Sequence, residues 1–176
     1  QGIGAARRVR PQAVMTRLFD FTQAIARTPG ESAIRGLRAV DGPDPSLDGI
    51  RAEHAAYVAA LREAGLAVTV LDPLEAYPDA LFVEDPALVF PEAAILLKPG
   101  APARAGEGEH LRATLAARFP RVLDLPRGHV DGGDILAMPD WVWIGLSART
   151  DRTGAEALIA LLADLGRPAR VAATPI

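Results

Sequence analysis

The sequence predicts an α/β chain built from repeated hairpin, helix and strand units, and three observations carry that prediction. Short, β-branched apolar runs alternate with segments whose apolar residues recur at helical spacing. The order hairpin, helix, strand occurs over residues 81–125 and again over 134–174, a period of roughly fifty residues that marks repeated supersecondary units. The 176 residues are 49% apolar and 23% charged, which suits one globular domain with a sizeable core and excludes disorder as the main state.

Taken in order, residues 47–64 read as a helix. Ile50, His54, Tyr57, Val58 and Leu61 fall at helical spacing, and Gly65 stands where a C-terminal stop belongs. Residues 66–71 follow as a strand. Residues 81–90 and 93–97 read as two strands joined across Pro91 and Glu92. Residues 106–118 read as a second helix, with a strand at 122–125. Residues 134–137 and 141–144 pair across Met138, Pro139 and Asp140, where Pro and Asp supply turn chemistry. Residues 150–165 form a third helix, stopped by Gly166 and Pro168, and 169–174 a last strand. The segment 47–71 supplies the helix-and-strand half of an earlier copy. Repeats bury their faces against neighbours and usually end in capping units. Here the last strand runs off at Ile176, so the array is expected to be incomplete in this chain. Residues 1–14, with Arg7, Arg8 and Arg10 but no apolar core behind them, are expected to be a leader or disordered extension, and 15–176 a single domain.

Composition excludes several functions. With 19 basic and 22 acidic residues the net charge is −3, and a pI near 5.6 offers no global attraction to nucleic acid. No window approaches the roughly 18 apolar residues of a membrane span, so a cytoplasmic protein without membrane or nucleic-acid partners is expected. Cysteine is absent from the 176 residues, which leaves neither a disulfide nor a thiolate nucleophile among them. The three histidines, His54, His110 and His129, have no metal-ligand spacing, and no metal is expected.

Three clusters remain that can carry chemistry. In Pro78–Asp85, Glu84 and Asp85 interrupt an apolar strand, where unpaired carboxylates are costly. Adjacent strand residues would point to opposite faces. Asp79 and Asp85 then face a cation such as a guanidinium, or both simply sit solvated at a strand edge. In His129–Asp134, two glycines permit close backbone approach, and the flanking carboxylates either contact a substrate or orient a histidine. The plainer alternative is an acidic turn that opens a hairpin, and His129 reads as an ordinary loop histidine with no identified partner. The third cluster is basic. Lys98, the only lysine, precedes Arg104, and Arg149 lies just before the third helix. Arginine forks hold carboxylates bidentately, so Arg104 and Arg149 are candidates to clamp one, against the alternative of two surface arginines. Together the clusters suit a zwitterionic, cationic amino acid.

The segments PDALFVEDPALV at 78–89, LKPGAPAR at 97–104, DGGDIL at 131–136 and WVWIGLSARTDRTGAEAL at 141–158 resemble, in that order and spacing, the dimethylarginine dimethylaminohydrolases. These belong to the guanidine-modifying superfamily that also holds arginine deiminase and the amidinotransferases. The resemblance runs from about Thr28 to Ile176. It implies a pentein-type α/β propeller of ββαβ units, incomplete here, so that 15–176 is a partial propeller domain. It also implies site roles. Asp79 contacts the substrate amino group, Glu84 and Asp85 serve the guanidinium, Arg104 and Arg149 bind the carboxylate, and Leu37 lies on a lid loop. Asp131 partners the catalytic histidine, while Lys98 falls outside the set.

The implied reaction is covalent and needs no cofactor. A thiolate attacks the guanidinium carbon, dimethylamine leaves, and water hydrolyses the thiouronium to citrulline. The family's cysteine and its general acid/base histidine have no counterpart in the 176 residues, and His129 is not at that histidine's position. The expectation is therefore a methylarginine hydrolase whose nucleophile lies in sequence beyond these residues. The alternatives are an arginine deiminase, an amidinotransferase, or a non-catalytic binder of arginine derivatives. A homodimer is left open.

Overall fold

A computed structural model describes residues 21–38 and 42–172. The expected extension 1–14 and the end of the last strand lie outside these residues.

The first unit is a βαβ crossover. β1 (Gln23–Arg27) pairs in parallel with β2 (Ala67–Leu71), and α1 (Leu47–Glu63) connects them. β1 escaped the sequence reading because, in Gln-Ala-Ile-Ala-Arg, only Ile25 is β-branched. Its strand conformation comes from pairing with β2, a partner more than forty residues away, so tertiary context overrides weak propensity. α1 starts at Ser46, whose hydroxyl caps the Gly49 N–H at 3.3 Å. It ends before Gly65, whose φ of +90° is a left-handed stop that disfavours any side chain. Of its expected apolar face only Val58 is buried, and Tyr57 is largely exposed.

The second and third units repeat one plan. β3 (Ala87–Phe90) and β4 (Ala93–Leu96) form an antiparallel hairpin, and β5 (Val122–Asp124) adds in parallel beside β4. β6 (Ile135–Ala137), β7 (Val142–Ile144) and β8 (Ala169–Val171) do the same. Even the register repeats. Leu88, Ile95 and Leu123 line up across the second sheet as Leu136, Trp143 and Arg170 do across the third. α3 (Arg152–Asp164) shares one core with both sheets, in which Ile95, Leu125, Ile144, Leu158 and Leu162 are fully buried. α2 (Arg112–Ala116) buries Leu115 in a second core, with Ala94 and Leu96 of β4 and with Ile25 and Leu71 of the first sheet. Helix and sheet therefore alternate along the chain, each layer covering the next. Among the described residues, no helix is long and apolar enough to cross a membrane.

Two expected elements differ. The strand expected at 81–90 begins only at Ala87. Before it the chain turns repeatedly: the N–H groups of Ala80, Phe82 and Asp85 donate to the carbonyls of Tyr77, Asp79 and Phe82. The guanidinium of Arg104 takes the Asp79 and Phe82 carbonyls at 3.2 and 3.1 Å, so a buried cation satisfies acceptors that a ladder would otherwise use. The helix expected at 106–118 is a 3-10 helix, Glu107–Leu111, followed by the single short turn of α2. Glu107, the first residue of the 3-10 helix, is turned inward to Arg104.

Candidate functional site

The loops that leave the strands converge on one cavity of about 270 Å³, lined by Leu37, Asp79, Phe82, Glu84, Asp85, Arg104, Asp131 and Arg149. All seven residues singled out in the sequence are on its wall, and Phe82 is the eighth. They come from five separate segments, around residues 37, 79–85, 104, 131 and 149, so the cavity is a product of how the units pack.

The turns at 79–85 explain how Glu84 and Asp85 both reach the cavity. On a strand they would have pointed to opposite faces, and the expectation that one must turn away fails because neither is on a strand. Behind them Arg104 is only 4% exposed. Its Nε and Nη2 form a fork on Glu107 at 2.7 Å each, Nη1 pairs with Asp85, and Nη2 also serves the two carbonyls above. Burial works against this charge, but Glu107 and Asp85 outweigh it and hold the guanidinium above its usual pKa. Most of its five N–H donors are thus spent on the protein. Arg104 braces the acidic loop, and its Nη1 has one hydrogen-bond partner, Asp85, among the described residues.

Asp131 is 1% exposed, on the loop that leads into β6. Its Oδ1 accepts the Gly133 N–H at 2.9 Å, and its own N–H donates to Thr150 Oγ1 at 3.0 Å. Oδ2 has no hydrogen-bond partner among the described residues; the nearest cation is Arg149 Nε at 3.8 Å. Burial, reinforced by the nearby Asp85 charge, pushes the Asp131 carboxyl above the ordinary range. Glu84, on the rim, is also raised, first by partial desolvation and then by Asp85. The loops carrying these carboxylates touch through backbone, with the Gly132 N–H donating to the Asp85 carbonyl at 2.8 Å. A Cβ at position 132 would lie 2.1 Å from the Glu84 carbonyl oxygen, so only glycine permits this approach.

Arg149 is half exposed and stands 3.9 Å from Asp134 as well as 3.8 Å from Asp131. It is the more available of the two arginines. Leu37 is on the cavity wall, exposed, with its backbone N–H held by Asp79 at 3.0 and 3.2 Å. The start of that loop is pinned by Glu75, which accepts the Glu31 and Ser32 N–H groups at 2.8 Å each. Four carboxylates and two guanidiniums therefore line the cavity. That excess of acid suits a ligand with two cationic groups and one carboxylate.

Several contributors were not assigned site roles from sequence. Glu107 carried a faint signal as a carboxylate three residues after Arg104, and Asp134 was visible only as the end of the DGGD segment. Phe82 and Glu75 had no distinguishing signal. His129 does have a partner, since its Nδ1 lies 3.0 Å from Asp151, the N-cap of α3, but it is exposed and off the cavity wall. Lys98 too is exposed and outside the cavity.

This fold and this acid-and-arginine cavity define a guanidine-modifying type of protein, and comparisons agree. The arginine deiminase family model matches residues 70–176, so the chain belongs to that family. Within it, the resemblance is to the dimethylarginine dimethylaminohydrolase type. An N(G),N(G)-dimethylarginine dimethylaminohydrolase of Pseudomonas aeruginosa is 39% identical over 145 residues, covering 81% of this chain and 57% of that one. Its counterpart from Streptomyces coelicolor is 34% identical over 158 residues, covering 88% and 60%. A crystal structure of the Pseudomonas enzyme, a cysteine-to-serine variant complexed with citrulline, superposes with a TM-score of 0.83 at 37% identity, over 86% of this chain and 61% of that one. The chain thus spans under two thirds of the length of these relatives.

Proposed function

We propose that this chain forms the substrate-binding part of a hydrolase that acts on the guanidinium of Nω-methylated arginines, giving citrulline and methylamine or dimethylamine. The observation that carries the reading is the buried Asp131, whose Oδ2 has no hydrogen-bond partner among the described residues, on the wall of a cavity shared with Asp79, Glu84, Asp85 and Arg149. On this reading Arg149, helped by Arg104, takes the α-carboxylate. Asp79 takes the α-ammonium. Glu84 and Asp85 hold the planar guanidinium oriented for attack, a positioning effect worth several kcal/mol in favourable cases. Asp131 Oδ2 accepts a ring N–H from the histidine that serves as acid and base. That histidine and the cysteine nucleophile belong, in this proposal, to sequence other than the 176 residues. The thiolate adds to the guanidinium carbon, the amine departs with a proton from the histidine, and water releases citrulline while the thiolate leaves. No cofactor is needed, and the architecture is a partial α/β propeller in a cytoplasmic protein.

The match to the arginine deiminase family model favours one second reading, deimination of unsubstituted arginine. The test is amine release by the full polypeptide that carries this chain. Dimethylamine from dimethylarginine supports the proposal, and ammonia from arginine without it supports the deiminase. Calorimetric binding that depends on Asp79 and Arg149, with no turnover of either compound, would replace both with a binding protein.

A further inference from the structure

Asp134 has no place in the reading so far. It is 3% exposed, does not line the cavity, and yet is tied to two neighbouring residues of its wall, Asp131 and Arg149. We infer that Asp134 is a positioning residue that sets Arg149 and Asp131 together. This rests on the roles proposed above for those two residues.

Two hydroxyls donate to the same oxygen of Asp134. Ser147 Oγ and Thr150 Oγ1 each lie 2.6 Å from Oδ2. A hydroxyl has a single proton, so committing it to Asp134 aims its lone pairs elsewhere. They are aimed at the backbone of the site. Ser147 Oγ accepts the Arg149 N–H at 2.9 Å and the Thr150 N–H at 3.3 Å. Thr150 Oγ1 accepts the Asp131 N–H at 3.0 Å. The other oxygen, Oδ1, faces Arg149 Nη2 at 3.9 Å, too long for a hydrogen bond but close enough for attraction. One buried carboxylate thereby orders the backbone at residues 147–150 and at 131, and draws the Arg149 guanidinium back toward the cavity.

The consequence is specificity for a carboxylate-bearing ligand. Arg149 is half exposed, and a long side chain that must be ordered on binding loses affinity. Held from behind by Asp134, it is pre-ordered where the ligand carboxylate arrives. The effect should therefore appear for ligands with that carboxylate and not for those without it.

The test compares Asp134→Asn, Thr150→Val and Thr150→Ser in the full polypeptide. Calorimetry with Nω,Nω-dimethyl-L-arginine and with its decarboxylated counterpart is combined with the Arg149 Nε–H resonance in nitrogen-15 NMR. Asp134→Asn keeps an acceptor for the hydroxyls and removes the charge. It should weaken dimethylarginine by about tenfold or more and the decarboxylated ligand by less than about threefold, within the range of coupling between neighbouring groups. Thr150→Val should behave likewise, with Thr150→Ser restoring the affinity. The Arg149 signal should shift and exchange faster in the two weakened variants.

Equal weakening of both ligands, or no rescue by serine, overturns the inference. Arg149→Ala separates it from the functional reading. If that variant affects neither ligand, or if the parent protein binds neither, the reading falls. The Arg149 resonance then decides alone: altered in Asp134→Asn and Thr150→Val it supports the positioning role, and unaltered it overturns it.

Discussion

The carboxylate of Asp79 holds the backbone N–H of Leu37 with both oxygens, at 3.0 and 3.2 Å, across 42 residues of sequence. A buried acid of the cavity wall thereby fastens the loop that brings Leu37 to the same wall. Asp79→Ala would leave that N–H unpaired. The expected result is loss of hydrogen-exchange protection at Leu37 and a fall in stability of about 1–2 kcal/mol, in the range of a lost, partly buried hydrogen bond. Affinity for dimethylarginine should fall with it. Unchanged exchange at Leu37 would show that the loop is held by something else.

Arg104 is the brace of the acidic loop, and its partners depend on it. Arg104→Met would leave Glu107 and Asp85 without their shared cation, and breaking a buried pair in this way costs about 3–5 kcal/mol. Arg104→Lys should recover only part, because an ammonium lacks the fork that reaches Glu107 twice and the two carbonyls besides. Urea midpoints for the three proteins check the ranking parent, Lys, Met.

Gly132 is where two site loops touch. In Gly132→Ala the new Cβ would meet the Glu84 carbonyl oxygen at 2.1 Å and the Asp85 Cα at 2.9 Å, atoms of backbone that have little room to give. Destabilisation of about 2–3 kcal/mol is expected from the forced shift. A lowered melting temperature together with loss of ligand binding is the expected pair of results. An unaffected melt would mean that the loops do not approach as described.

The raised carboxyls of Asp131 and Glu84 make a pH prediction whose sign is fixed. Between the ordinary carboxylate pKa and the raised value, the folded protein binds more protons than the unfolded chain. Their contribution to stability therefore falls as pH rises through that window and levels off above it. Denaturation as a function of pH should show this decline, and Asp131→Asn should flatten it. A guanidinium ligand favours the ionised carboxylates, so its affinity should rise across the same window. Affinity that stays flat there would contradict the placement of the cation beside these acids.

Much of the architecture was legible because it rests on local rules. The third helix was readable from Gly166 and Pro168, which stop it, though it begins at Arg152 and not at 150, because Asp151 caps it by accepting the Gly154 N–H at 2.6 Å. The hairpins were readable from their turn residues, and the repeat from the order of elements. β1 was not, since an Ala-rich strand is specified by its partner β2 and not by its own propensity. The turns at 77–85 were not, because they depend on a guanidinium that arrives from position 104.

The same division runs through the site. By itself the sequence determined which side chains are present: the acids of 79–85, the DGGD turn and the two arginines, in an order that marks the family. Only the tertiary structure decided what each can do. Arg104 and Arg149 look equivalent along the chain, but burial commits one to Glu107 and Asp85 and leaves the other half free at the cavity. Asp131 and Asp134 stand three residues apart in one acidic turn. Packing leaves an oxygen of the first without a partner among the described residues and gives the second two hydroxyl donors. Charge and residue type belong to the sequence, but desolvation and hydrogen-bond partners arise only when distant segments meet, and these assign the roles.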